Sequence, residues 1–119
     1  MIDLAKRAIA CKGFRWMPGM LNGNDGTRYI AGEQWAWDDP LRHHAKGIDN
    51  NDWPDLTDPA TLGCLLALVR EAWGDPCLHV GLLPARWGVW TSQNMPLHEC
   101  VGKALTEAEA LVAALEAAP

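Results

Sequence analysis

The chain has one serine, one tyrosine and one phenylalanine in 119 residues, and it carries none of the local signatures of common catalytic sites. There is no P-loop, no GxGxxG, no GxSxG and no HExxH, which removes the usual nucleotide-hydrolase, dinucleotide, hydrolase and zinc-protease readings. Ser92, the only serine, has no glycine elbow around it, so a serine nucleophile is not expected. No apolar run approaches the length of a membrane span. The first residues, MIDLAKRAIACKG, hold an acid at position 3 and no sustained apolar stretch, so no secretion signal is expected. The four scattered cysteines (11, 64, 77 and 100) are then expected as reduced thiols of a cytosolic protein. A thiol enzyme would need a Cys–His pair that meets only in space, and nothing in the sequence favours one cysteine for that role.

Basic charge is also scarce. The net charge is −5, and Asp38, Asp39, Asp49, Asp52, Asp55 and Asp58 fall in one window. Nonspecific nucleic-acid binding, which needs a net basic face, is therefore not expected. What is abundant is tryptophan, with seven copies, a residue favoured in cores and at binding anchors. Some of the seven are expected to touch a partner or a second subunit. The 49% hydrophobic and 21% charged composition predicts a folded single domain spanning residues 1–119.

The clearest element lies in the stretch Asp55 to Pro76. Asp58 is an N-cap, Pro59 fits the first helical position, and Leu62, Leu65, Leu66, Val69 and Trp73 recur at helical spacing. Gly74 can close the helix in the left-handed conformation, and Pro76 blocks its continuation. A helix so poor in charge is either covered on two sides or part of a subunit contact. Before it, residues 2–12 predict a short helix with Ile2, Ala5 and Ile9 on one face. Phe14 to Met17 then read as a strand ending at Pro18-Gly19, residues 22–26 as a hairpin tip, and residues 27–31 as the returning strand. Residues 33–56 hold no period and are expected to form an irregular loop that binds a partner through Trp35, Trp37 and Trp53.

After the central helix, residues 77–83 and 87–91 predict a second hairpin about Pro84-Ala85-Arg86. Residues 93–101 are ambiguous. Thr106 and Glu109 make a capping box for a last helix whose inward face is Leu105, Ala108, Leu111, Val112 and Leu115. The predicted fold is α+β, in the order α-β-β-α-β-β-α, with two hairpins joined in a four-stranded antiparallel sheet covered by helices.

Three constellations carry possible chemistry. Cys77 with His79 and His98 with Cys100 place a Cys and a His two apart, twice, and two adjacent strands would bring them into a zinc tetrahedron. The spacing fits no known finger or ribbon, and a cysteine bracketed by apolar strand residues is ordinarily core, so no metal or other cofactor is expected. His43-His44 beside Asp38 and Asp39 read as a solvated loop. A pocket for an anionic nucleotide would draw on Arg15, Trp16, Arg28, Arg42, Lys46, Arg86 and Trp87, as aromatic platform and phosphate ligands. Alternating Arg and Trp also mark the two faces of any half-exposed strand, which is the plainer account of them.

With FRWMPGM after a short helix, WPDLTDPATLGCLLALVREAWGDP in the middle, a Trp-bearing hairpin and TEAEALVAALEAA at the end, the chain resembles small proteins of tailed phages and prophages of Gram-negative bacteria. Among these are the phage ABA-sandwich domain proteins. The likeness covers most of the chain in layout, most strongly residues 53–76 and 104–118, and it transfers no catalytic residues. It implies a phage accessory product without turnover in the cytoplasm of the bacterial host. Such a product would counter a bacterial defence system by binding a defence protein or by sequestering a nucleotide-derived signal. The alternative is a phage structural or assembly accessory that acts by self-association as a homo-oligomer.

Overall fold

The computed structural model describes residues 2–29, 37–38, 51–91 and 100–119, with residues 37–38 described through their backbone. Within these residues the chain is α+β, with helices α1 (Ile2–Ala10), α2 (Pro59–Trp73) and α3 (Glu107–Ala117). The strands are β1 (Arg28–Tyr29), β2 (Trp37–Asp38), β3 (His79–Leu82), β4 (Trp87–Trp90) and β5 (Gly102–Ala104).

Helix α2 forms where its local signals place it. The Asp58 carboxylate accepts from Thr61 N–H at 3.0 Å, Pro59 opens the helix, and Gly74 closes it at φ 62°. Asp75 N–H then donates to Arg70 O at 2.9 Å, satisfying a carbonyl that the helix end leaves free. The helix is covered on two sides. Leu65 and Val69 enter the main core, while Leu68 packs with Met20 and Tyr29 in a second cluster. That two-sided burial explains its near-uncharged surface.

Helix α3 starts at Thr106, whose hydroxyl oxygen accepts from Glu109 N–H at 3.1 Å. The Glu109 carboxylate accepts from the Thr106 hydroxyl at 3.1 Å, in place of the backbone donor expected of it. Ala110, Leu111, Val112 and Ala114 are fully buried, so α3 is the centre of the main core. Leu105, expected on its inward face, precedes the helix and is 79% exposed. The Trp73 indole N–H donates to Ala114 O at 2.8 Å and ties α2 to α3.

The second hairpin forms as expected, with His79 opposite Trp90 and Leu82 opposite Trp87, closed by Leu83 N–H to Arg86 O at 2.7 Å. Its third neighbour is β5, giving an antiparallel sheet in the order β3-β4-β5. The four-stranded sheet of two hairpins is not found among the described residues; β1 and β2 pair separately as a second, two-stranded sheet. The reason lies in the N-terminal turn. The chain reverses at Pro18 and Gly19 (φ 102°), so Phe14 to Met17 are not a strand. The returning residues pair instead with residues 19–22: Gly19 N–H donates to Tyr29 O at 2.7 Å and Asn22 N–H to Thr27 O at 2.7 Å.

Asn22 also bridges to Pro54, and Gly23 N–H donates to Trp53 O at 2.8 Å, so the segment before α2 runs beside the hairpin tip. The Trp53 ring lies on Gly23 so closely that a Cβ there would stand 2.1 Å from Cζ3. Gly23→Ala is expected to cost about 1–3 kcal/mol by overpacking. A urea midpoint unchanged from wild type would show that the ring swings aside freely.

Candidate functional site

Helix α1 carries an unexpected surface. Ala5 and Ala8 are fully buried, and Leu4 and Cys11 pack against the core beside them. At 100° per residue this buried arc is centred well away from Ile2, Lys6 and Ile9, which fall together on the outer face. Ile2 is 46% and Ile9 37% exposed while Ala5 is fully buried, which corrects the expectation that the three share one face. The small alanines let α1 lie close to α3, and Arg7 clamps the contact through Glu116 at 2.6 Å. With that clamp on one side, the isoleucines turn to solvent.

Two depressions flank this stripe, and Ile9 lines both. One, of about 440 Å³, is lined by Ile2, Lys6, Ile9, Asn24, Asn51, Asp52 and Trp53. The other, of about 560 Å³, is lined by Ile9, Phe14, Arg15, Trp16, Met17, Pro18 and Tyr29. Trp16 sits edge-on to Phe14 with ring centroids 5.7 Å apart, and 6.3 Å from Tyr29. The abandoned strand 14–17 therefore becomes an aromatic wall. A backbone in regular pairing would have sent alternate side chains to opposite faces.

Two of the arginines expected to hold phosphate, Arg15 and Arg28, are occupied. Arg15 Nη1 donates to both Glu71 carboxylate oxygens, at 2.6 and 2.7 Å. Arg28 Nη1 donates to Gly19 O at 2.8 Å and to Asp58 Oδ2 at 3.0 Å. This Arg28 hydrogen bond, with help from Thr61, holds the Asp58 carboxyl below the ordinary aspartate range and pushes the guanidinium further up. Arg28 thus braces the N-cap of α2 and is not a free cation. Arg86 and Trp87 lie at the β3–β4 hairpin, Arg86 exposed in the turn and Trp87 half-buried against the main core. Neither lines the two depressions beside Ile9. Trp35 and Arg42 lie outside the described residues, as do His43, His44 and Ser92, and of Trp37 only the backbone in β2 is described.

Of the cysteine–histidine constellation, Cys77 and His79 are exposed and Cys100 is half-buried, while His98 lies outside the described residues. His79 stacks on Trp90 with ring centroids 5.3 Å apart. Trp90 spreads across Gly88, where an added Cβ would stand 2.9 Å from its ring and from Cys100 Sγ. Among the described residues no group of three or more His, Cys, Asp or Glu is placed to hold a metal ion. Burial pushes the Cys11 and Cys64 thiols up, which keeps them protonated and poorly nucleophilic at neutral pH. No helix among the described residues is long and apolar enough to cross a membrane.

A further cleft of about 640 Å³ lies where α1 and α3 end, lined by Arg7, Cys11, Lys12, Glu116 and their neighbours. Its charged groups Arg7 and Glu116 are bonded to each other, lifting the Arg7 pKa and lowering that of Glu116.

Comparison with known protein families, characterised proteins and solved structures found no match.

Sequence reasoning placed Trp16 and Trp53 in the candidate set but missed Ile2, Ile9, Phe14, Met17 and Tyr29. A signal for the isoleucines was present. Ala5 and Ala8, the small residues a close helix contact needs, define an inward arc that excludes them.

Proposed function

We propose that this chain is a non-enzymatic binding protein whose partner is another protein, docked on Ile2, Lys6, Ile9, Trp16 and Trp53. The observation that carries this reading is the pair of exposed isoleucines on α1, set between two depressions that hold aromatic side chains. Clustered apolar and aromatic exposure of this kind is characteristic of protein-recognition surfaces. The nucleotide-sponge alternative is weaker, because Arg15 and Arg28 already neutralise Glu71 and Asp58. A phosphate would have to displace those carboxylates. The resemblance to phage accessory proteins supplies the context: a phage-encoded antagonist of a bacterial defence system, working in the host cytoplasm by occupying a defence protein.

The test is affinity capture from bacterial cells with wild-type chain and with the pair Ile9→Asp and Trp16→Ala. A protein recovered in near-stoichiometric amount by wild type, and reduced about 100-fold or more by the variants, is the expected result, since a few central apolar anchors dominate binding energy. Equal recovery by both would remove this surface from the account.

A second reading, a structural accessory acting by self-association, draws on a different pair of exposed residues. Leu82 and Leu105 are 69% and 79% exposed, and Leu82 lies across from Trp87, itself across from Ala104. Among the described residues β3 is also an edge strand. A homo-oligomer that Leu82→Ser dissolves, with no capture of any other protein, would favour this reading over the first.

A further inference from the structure

In a chain of net charge −5, Lys6 is the charged side chain that stands with Ile2 and Ile9 on the outer face of α1; Arg7 and Lys12 line the cleft where α1 and α3 end, and Asp3 lines the depression with Leu4 and Arg7. Arg7 is engaged by Glu116, whereas Lys6 and Lys12 make no ion pair among the described residues. Lys6 stands between Ile2 and Ile9 on the same face, so the stripe reads apolar, cationic, apolar over two helical turns, about 10 Å in length.

We infer that the partner presents an acidic amphipathic helix to this face, with apolar side chains over Ile2 and Ile9 and a carboxylate facing Lys6. The inference rests on the binding reading above and names the chemistry of the partner. A helix surface offers no free backbone donors or acceptors along its side, so an extended peptide would gain no main-chain pairing here. Two isoleucines seven residues apart match the i, i+7 repeat of a second helix packed alongside. Lys6 at the centre of the stripe repels a basic helix and attracts an acidic one, and charge placed this way sets specificity and on-rate. The flanking depression with Phe14, Trp16 and Tyr29 accepts a larger apolar side chain from the end of the same helix.

The experiment uses three labelled peptides of about 18 residues, with an identical leucine stripe at helical spacing and the polar face built from Glu, Gln or Lys. Binding to the full chain is read by fluorescence anisotropy at two salt concentrations. The Glu peptide is expected to bind about tenfold or more tighter than the Lys peptide, with the difference shrinking as salt rises. Lys6→Glu, on an exposed position whose helicity is checked by circular dichroism, is expected to reverse the order, and Lys6→Gln to flatten it. Ile9→Asp is expected to abolish binding of all three.

Equal binding of the Glu and Lys peptides, or an order unaffected by Lys6→Glu, would overturn the inference. So would binding to anionic phospholipid vesicles with no peptide preference, or a second copy of the chain on this face. The two levels separate cleanly. If captured partner is lost in Ile9→Asp but is indifferent to Lys6→Glu, the docking surface stands and the acidic helix does not. If capture is indifferent to Ile9→Asp as well, the surface itself falls.

Discussion

Gly102→Ala is expected to lower stability by about 3 kcal/mol or more, or to prevent folding, because overpacking here is directed at backbone. A Cβ on Gly102 would stand 2.4 Å from Ala110 O and 2.7 Å from Ala114 N, both on α3. Those atoms belong to a helix whose buried side chains form the centre of the main core, so they cannot step aside as a side chain can. The helix would have to lift from the sheet, opening the contacts of Leu111 and Val112. For a chain of this size the loss corresponds to about 10 °C or more in Tm. Gly63 supplies the control. It lies exposed within α2, and a Cβ there would meet nothing within 4 Å. Gly63→Ala is therefore expected to stabilise by about 0.5–1 kcal/mol, through helix propensity and the lost freedom of the unfolded chain. Thermal melts of the two variants, moving in opposite directions, check the packing of α3 on the sheet. Equal shifts would contradict it.

Asp58→Ala is expected to cost about 2 kcal/mol, at the upper end of N-cap losses. The carboxylate serves three partners at once: Thr61 N–H, the Thr61 hydroxyl at 2.9 Å and the Arg28 guanidinium at 3.0 Å. Removing it uncaps α2 and releases Arg28, which also holds Gly19 O at the turn where the N-terminal hairpin begins. Asp58→Asn keeps the cap but not the charge, and is expected to lose less. The pH dependence follows from the sign of the shift. The Asp58 pKa is lower in the folded chain than in the unfolded one, through Arg28 first and Thr61 next. Its contribution is therefore complete above the ordinary aspartate pKa of about 3.9 and is lost as pH falls below it. Urea midpoints measured from neutral pH down to about pH 3 should fall less steeply in Asp58→Asn than in wild type. Parallel curves would mean that the pair with Arg28 does not persist in solution.

The elements legible in the sequence are those whose instructions are local. Helix α2 is written in Asp58, Pro59 and Gly74, all within reach of the backbone groups they satisfy, and α3 in Thr106 and Glu109. The β3–β4 hairpin was readable from two apolar runs around Pro84. Strand β5 was not, because Gly102-Lys103-Ala104 holds no residue with a preference for strands; in the structure Gly102 is where α3 lies close on the strand. The same division runs through the site. Trp16 could be proposed as a surface aromatic from its own neighbourhood. That Arg15 would be taken by Glu71 and Arg28 by Asp58 could not be, since the partners of each pair stand far apart in the sequence and no local signal joins them. The exposure of Ile2 and Ile9 is likewise a consequence of where α3 lies.

Native mass spectrometry of the chain purified from bacterial cells, followed by denaturation of the same sample, reads out what the Ile9 and Trp16 surface carries. The expected result is the 13.1 kDa chain together with a second, different protein, and the loss of that protein in the Ile9→Asp and Trp16→Ala pair. A nucleotide-sized mass released on denaturation, or only whole multiples of the chain that persist in the variants, would contradict it.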